Sequence, residues 1–357
     1  MRWRRLILPV LAIMLLLAGR SVAVFAQEAP SPDASPVSNA PDTTKEEKAT
    51  PTFRANVNLV SLYFTVRNKQ GGLVPNLAKD DCTVLEDKQQ QTIKNFSAEA
   101  DLPLTLGILL DTSGSQQNVL PMEQQTGSAF VKRILRSKDE AFLVSFDVQV
   151  SLMQDFTSNP RLIEKAMDQA EINTGGGGGA SGIPGIGQGP IPVHGDPKGT
   201  LLYDAVYEVS NDKMRSETGR KALILLTDGE DQGSTHKIAD AIEAAQKSNT
   251  IIYALLIADR GFYYGYNMGY SGASALKKMA DETGGRMIDV GNNGKKMEAA
   301  FQQIEDELRT QYLASYTPTD KKLDGGYRKL DISCKGDGLK IQARKGYYAM
   351  PSEDEGQ

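Results

Sequence analysis

The chain has 357 residues and a formal net charge of −5, with no basic block beyond its first few residues. That argues against nucleic acid as the main partner, since neutralising phosphates needs a Lys/Arg footprint. Its 2 cysteines and 2 histidines (Cys82, Cys334, His194, His236) show no CxxC or HExxH spacing, which argues against a zinc site.

Residues 1–26 read as a secretory signal. Arg2, Arg4 and Arg5 form its charged start, residues 6–18 its apolar core, and small residues precede Gln27. That core is short beside the roughly 20 residues of a spanning helix. The expectation is export to the periplasm or beyond, with an uncleaved N-terminal membrane anchor as the alternative. Residues 27–52 are rich in Pro, Ser, Ala, Thr and charge. They hold too few large apolar groups to offset ordering entropy and are expected to form a disordered linker.

From Val57 the texture turns to β. Val60, Leu62, Phe64 and Val66 make one fully apolar face of a strand, and Leu59, Ser61, Tyr63 and Thr65 the other. Residues 82–86 and 92–97 suggest two further strands around a turn at Asp87, Lys88 and Gln89. Three strands are too few for a stable unit, so partners are expected elsewhere.

An alternating region follows. Residues 105–110 form an apolar run short enough to be a strand buried on both faces. Helices are expected at 122–135, 161–170, 201–211, 237–247, 274–282 and 296–309. Strands are expected at 141–146, 150–156, 222–226, 251–257 and 287–290. The Gly/Pro-dense stretch 175–199 reads as a long loop. The pattern indicates an α/β fold with a doubly wound, mostly parallel sheet. After Tyr312 short strands return at 313–316, 328–333 and 340–348. The economical layout makes 53–100 and 313–349 two halves of one small antiparallel β-sandwich. The α/β domain, 101–312, is then inserted between them, and 350–357 is an acidic tail.

At the end of the run 105–110 stand Asp111, Ser113 and Ser115, in the pattern D-x-S-x-S. Read alone, this fits either a hard divalent cation, which takes oxygen ligands, or a Ser/Asp turn capping the next helix. Two further oxygen donors belong to the same edge of such a sheet. Asp228 follows the strand 222–226, and Thr200 precedes the helix 201–211. Glu230 and Asp231 read as solvated acids near a helix N-terminus.

The DxSxS, Thr and Asp set resembles the von Willebrand factor A domain with its metal-ion-dependent adhesion site. GTLLYDA, KALILLTDGED, KKMADETGGR, ELRTQYLASYTP and ARKGYY extend the likeness over 53–349, to exported bacterial proteins of the VWFA-related subgroup. The resemblance implies that Asp111, Ser113, Ser115, Thr200 and Asp228 hold Mg²⁺, with Mn²⁺ or Ca²⁺ as alternatives. It implies a protein-binding, adhesion-type module whose ion clamps an exposed Asp or Glu of a protein partner. No small-molecule cofactor and no catalytic residue are expected. An envelope assembly or scaffold factor would use the same site. A metal-dependent hydrolase or phosphotransferase is the minority reading, since neither GxSxG nor a P-loop GK[ST] occurs.

His194 and the aromatic run Phe262, Tyr263, Tyr264, Tyr266 and Tyr270 fall in loops expected on the metal edge, and Tyr with Gly, Ser and Asn is a binding-surface composition. A loop folded on itself is the alternative. Export permits a disulfide between Cys82 and Cys334, both assigned to the sandwich; buried free thiols are the alternative.

Overall fold

In the computed structural model, residues 59–98, 102–173, 199–258 and 272–351 are described. The signal, the linker, His194 and the five aromatic residues at 262–270 lie outside them.

The strand expected at 105–110 runs from Leu104–Asp111 (β5), and every one of its residues is buried. It lies inside a sheet of six strands ordered β10 (Met287–Asp289), β9 (Ile251–Leu256), β8 (Arg220–Thr227), β5, β6 (Glu140–Phe146) and β7 (Val150–Thr157). All neighbours are parallel except β6 and β7, which are joined as an antiparallel hairpin. Continuous apolar strands such as ILL in β5 and LILL in β8 require cover on both faces. On one face α1 (Leu120–Ile134), α2 (Pro160–Asp168) and α6 (Gly294–Arg309) supply it, with Phe130 stacked on Phe301 at 4.4 Å. On the other lie α3 (Leu202–Glu208), α4 (Ile238–Lys247) and α5 (Gly272–Thr283). The helix expected at 201–211 changes character after Glu208, continuing as a π turn over Val209–Met214.

The remaining strands form the expected antiparallel sandwich. One sheet is ordered β13 (Lys340–Ala343), β1 (Val60–Arg67), β11 (Tyr312–Tyr316), β4 (Ile93–Ala98). The other is β14 (Gly346–Tyr348), β12 (Tyr327–Cys334), β2 (Cys82–Glu86), β3 (Gln89–Gln91). Both sheets therefore mix strands from before and after the α/β region. Val60, Leu62, Phe64 and Val66 point into the shared core with Val84, Tyr312, Tyr316 and Leu330.

Two local readings differ from the structure. The turn expected over Asp87, Lys88 and Gln89 is tighter: Asp87 and Lys88 have φ of 47° and 69°, a two-residue hairpin turn, so Gln89 begins β3. The single strand expected at 340–348 is two. At the break, Arg344 bridges to Thr283 and the Lys345 amide donates to Glu282 O, so the backbone leaves one sheet to dock on the end of α5.

The sandwich attaches at the amino-terminal ends of the parallel strands. There Glu307, fully buried near the end of α6, pairs with Arg67 of β1 and with Arg286 at 3.1 Å, and accepts from Gln342 Nε2 at 3.3 Å. Tyr63, on the second face of β1, packs against the α/β core. The carboxyl-terminal edge of the parallel strands, where Asp111 and Asp228 stand, lies at the opposite end.

Cys82 and Cys334 are direct cross-strand neighbours in β2 and β12 and form a disulfide, with Cα atoms 4.0 Å apart and a sequence separation of 252. Closing so long a loop restrains the unfolded chain by about 5 kcal/mol in the chain-entropy model, and measured losses run to about 2–5 kcal/mol. Cys82→Ser with Cys334→Ser should therefore lower stability in denaturant titrations by an amount in that range. Thiol titration of the unreduced, denatured wild-type chain should find none free; two reactive thiols per chain would contradict the bridge.

Candidate metal centre

β5 and β8 are adjacent, yet the chain leaves β5 toward β6 and β7 on one side and returns through β8 toward β9 and β10 on the other. The crevice at their carboxyl ends is the topological switch point, where open α/β sheets bind ligands. Asp111 ends β5 and Asp228 follows β8, so the switch point carries two carboxylates, 0% and 1% exposed.

Neutral donors hold them. Asp111 Oδ1 accepts from the Ser113 amide at 3.0 Å, and Oδ2 from Thr227 Oγ1 at 2.5 Å. Asp228 Oδ2 accepts from Ser115 Oγ at 2.6 Å and Gln116 Nε2 at 2.8 Å, while its Oδ1 accepts from the Glu230 amide at 3.1 Å. Ser113 Oγ and Ser115 Oγ lie 3.1 Å apart. Four of the five residues expected to hold a cation are thus joined in one hydrogen-bonded cluster. The fifth, Thr200, is tied in through the backbone: the Gln232 amide, in the loop after Asp228, donates to Thr200 O at 3.0 Å.

Further polar groups, not recognised in the sequence, fix these loops to one another. Asp147, in the β6–β7 turn, accepts from Thr112 Oγ1 at 2.7 Å and Asn173 Nδ2 at 3.1 Å, and its carbonyl accepts from the Leu201 amide at 2.8 Å. It therefore connects the DxSxS turn to the Thr200 segment. Asp204 of α3, 1% exposed, accepts from the amides of Thr235 and His236 at 2.8 Å each, and lies 2.7 Å from His236 Nδ1. His236, whose ring stacks on Tyr207, thereby anchors the β8–α4 loop. Glu230 and Asp231 are not free solvated acids. Glu230 Oε1 accepts from the Gly272 amide at the start of α5, and Asp231 Oδ1 from the Tyr203 amide and Ser234 Oγ. Both cap helix starts other than the one that follows them in sequence. Gly229, at φ 83°, and Gly272 let α5 approach: a Cβ on Gly272 would lie 2.2 Å from Asp228 O.

Glu123, in the first turn of α1, is also fully buried, and neither of its carboxylate oxygens has a hydrogen-bond partner among the described residues. Gln116 Oε1 is likewise buried without one. Burial, then the Asp111 and Asp228 charges, raise the Glu123 carboxyl well above the ordinary glutamate range. Burial first and Asp228 second push Asp111 up to about 7, against the lowering effect of its bonds to Ser113 and Thr227. Sequence signals existed for some of these. Thr227 and Gln116 flank residues already singled out, and Glu123 occupies the same helical stripe as buried Leu120, Gly127, Phe130 and Ile134. Asp147 and Asp204 tie loops together through partners distant in sequence, Thr112 and Asn173 for the first and Thr235 and His236 for the second, and no local pattern marks those pairings.

A buried, carboxylate-rich cluster with unpartnered oxygens and neutral hydroxyls at its rim suits a hard divalent cation by donor chemistry. The set of Asp111, Ser113, Ser115 and Asp228, with Thr200 alongside, therefore fits such an ion.

No protein-family model and no curated protein matches the chain. Among solved structures it is similar to BatB from Bacteroides thetaiotaomicron, with 16% identity over 57% of this chain and 98% of that one, and a TM-score of 0.41. It is similar to proximal thread matrix protein 1 from the mussel byssus, solved with a zinc-occupied MIDAS motif, with 16% identity over 63% of this chain and 50% of that one (TM-score 0.45). The vWF domain of the type V pili tip protein Mfa5 from Porphyromonas gingivalis matches at 12% identity over 57% of this chain and 94% of that one (TM-score 0.38). The likeness is low. The doubly wound α/β architecture of this chain stands on its own strand order and helix layers.

The raised Asp111 carboxyl has a consequence for the cation-free protein. Between the unfolded value near 4 and about 7, the native state binds the extra proton. Stability should then fall as pH rises through that window and level off above it. Urea titrations in EDTA at pH 5 and pH 8 should show this loss, and Asp111→Asn should shrink it. An unchanged slope in the variant would rule out Asp111 as its source.

Proposed function

We propose that the chain is an exported, metal-dependent protein-binding module of adhesion type. Asp111, Ser113, Ser115, Thr200 and Asp228 hold a divalent cation, Mg²⁺ first and Mn²⁺ or Ca²⁺ as alternatives. The observation that carries this reading is the convergence of four of these residues in one cluster at the switch point of the sheet. When bound, the ion supplies an electrophilic centre that an exposed Asp or Glu of a protein partner can complete.

The residues themselves do the rest. Asp111 and Asp228 provide the negative charge, and Ser113, Ser115 and Thr200 are neutral donors that do not cancel the charge of the ion. A site so composed keeps attraction for an incoming carboxylate. Ser113 and Ser115 hydrogen-bond to each other and to Asp228, and His236 is engaged with Asp204. Among the described residues neither serine is paired with an imidazole base, which favours binding over nucleophilic catalysis. The Cys82–Cys334 disulfide supports export to an oxidising compartment. Among the described residues no helix is long and apolar enough to cross a membrane. An envelope scaffold would use the same chemistry; a pull-down from envelope extract with and without EDTA addresses the partner directly.

Cation binding to the native state should raise its apparent stability by RT ln(1 + [L]/Kd), about 2.7 kcal/mol at a hundredfold excess over Kd. For a domain of this size that corresponds to roughly 5–10 °C in melting temperature. Wild type should show an upward shift in millimolar Mg²⁺ or Mn²⁺ that Asp111→Ala and Asp228→Ala lose. A wild-type protein indifferent to both ions would remove the mechanism.

A further inference from the structure

Glu123 is a costly residue where it stands. It occupies the core stripe of α1, is 0% exposed, and has two carboxylate oxygens with no donor. A buried polar group lacking a partner costs on the order of 1–3 kcal/mol, more if charged. An apolar or amide side chain of similar size would remove that cost. Its surroundings make the charge worse, since Asp111 and Asp228 both act on it. Near Asp228 there is a third unpartnered acceptor, Oε1 of Gln116, whose amide nitrogen is bonded to Asp228 Oδ2. Among the described residues, buried acceptors therefore outnumber donors around the two aspartates. Rotating a hydroxyl or flipping the Gln116 amide redistributes the deficit without removing it. A positive charge at the cluster is the simplest thing that would offset it.

We propose that Glu123 is a sixth residue of the cation site, an outer carboxylate that balances the charge of the ion from the first turn of α1. This rests on the metal reading above and deepens it. Such partners beyond the direct ligands typically change metal affinity by about 10- to 100-fold when altered. Glu123 differs from the DxSxS residues in origin: it comes from the first turn of α1, where the helix dipole favours negative charge. It is a positioning and charge-balancing group.

A structural role and a cation role predict opposite signs. If Glu123 serves the ion, Glu123→Gln should relieve an unpartnered acid in the cation-free protein while weakening the ion. In EDTA the variant should melt above wild type, and its Mn²⁺ affinity, measured by isothermal titration on the full mature chain, should be roughly 10- to 100-fold lower. Glu123→Met, of similar length and without polar atoms, should move both readouts in the same directions. Equal Mn²⁺ affinity in wild type and both variants overturns the proposal while leaving the metal reading intact. So does a lower melting temperature of Glu123→Gln in EDTA, which would make Glu123 a structural group. If wild type itself takes up none of Mn²⁺, Mg²⁺ and Ca²⁺ at millimolar concentration, the metal reading fails and this inference falls with it.

Discussion

The structure depends on keeping two aspartates side by side at the ends of adjacent parallel strands. β5 and β8 are neighbours, so their backbones run about 4.8 Å apart, and the carboxylates they carry are almost completely buried. Like charges so placed repel, and burial weakens solvent screening. The fold answers with neutral donors: a serine hydroxyl, a threonine hydroxyl, an amide side chain and two backbone N–H groups. Hydrogen bonds from neutral groups lower the cost without cancelling the charge. That leaves Asp111 with a raised carboxyl and the site with unspent negative potential.

The rest of the molecule supplies the rigidity this arrangement needs. Both faces of the central strands are fully covered, so their ends cannot relax outward without opening a packed core. At the far edge the sandwich closes around the entry and exit of the α/β region. Glu307 joins Arg67, Arg286 and Gln342 across that junction, and the Cys82–Cys334 bridge fastens the two halves of the sandwich. Stability is thus concentrated at one edge and chemistry at the other, as scaffold and loops usually divide them.

Much of this was legible in the sequence because it rests on local patterns. The apolar runs of β5, β8 and β9, the helical spacing between them, and the return of alternation after Tyr312 are each confined to a few residues. The DxSxS turn is legible for the same reason. What escaped depends on contacts between distant segments. Asp147 meets Thr112 and the Leu201 segment only after β6 and β7 have formed, and Asp204 meets His236 only when α3 lies beside the β8–α4 loop. Lys345 leaves its strand because Glu282, far earlier in the chain, offers a carbonyl. Glu230 and Asp231 misled for a related reason: each sits beside one helix in sequence and caps another in space. Glu123 is the intermediate case. Its spacing puts it in line with buried Leu120, Gly127 and Phe130, but only the charges of Asp111 and Asp228 give an acid there a meaning.

These cross-links also bear on how an ion would be received. The DxSxS turn, the Thr200 segment and the loop after Asp228 are bound to one another through Asp147 and Gln232 N–H, so their backbones form one connected unit. A preorganised unit loses little conformational freedom on binding, and that saving appears as affinity. The adjustable parts are side-chain protons. Ser115 Oγ–H points to Asp228, and Ser113 and Ser115 share a hydrogen bond. Each of these hydroxyls has lone pairs to offer once its proton turns aside, a rotation that requires no backbone movement. Hydrogen bonds inside the cluster thus engage the same oxygens that the metal reading assigns to the ion. The exchange between the two states is local, and its energetic balance is set by how many buried negative charges remain unmatched without the ion.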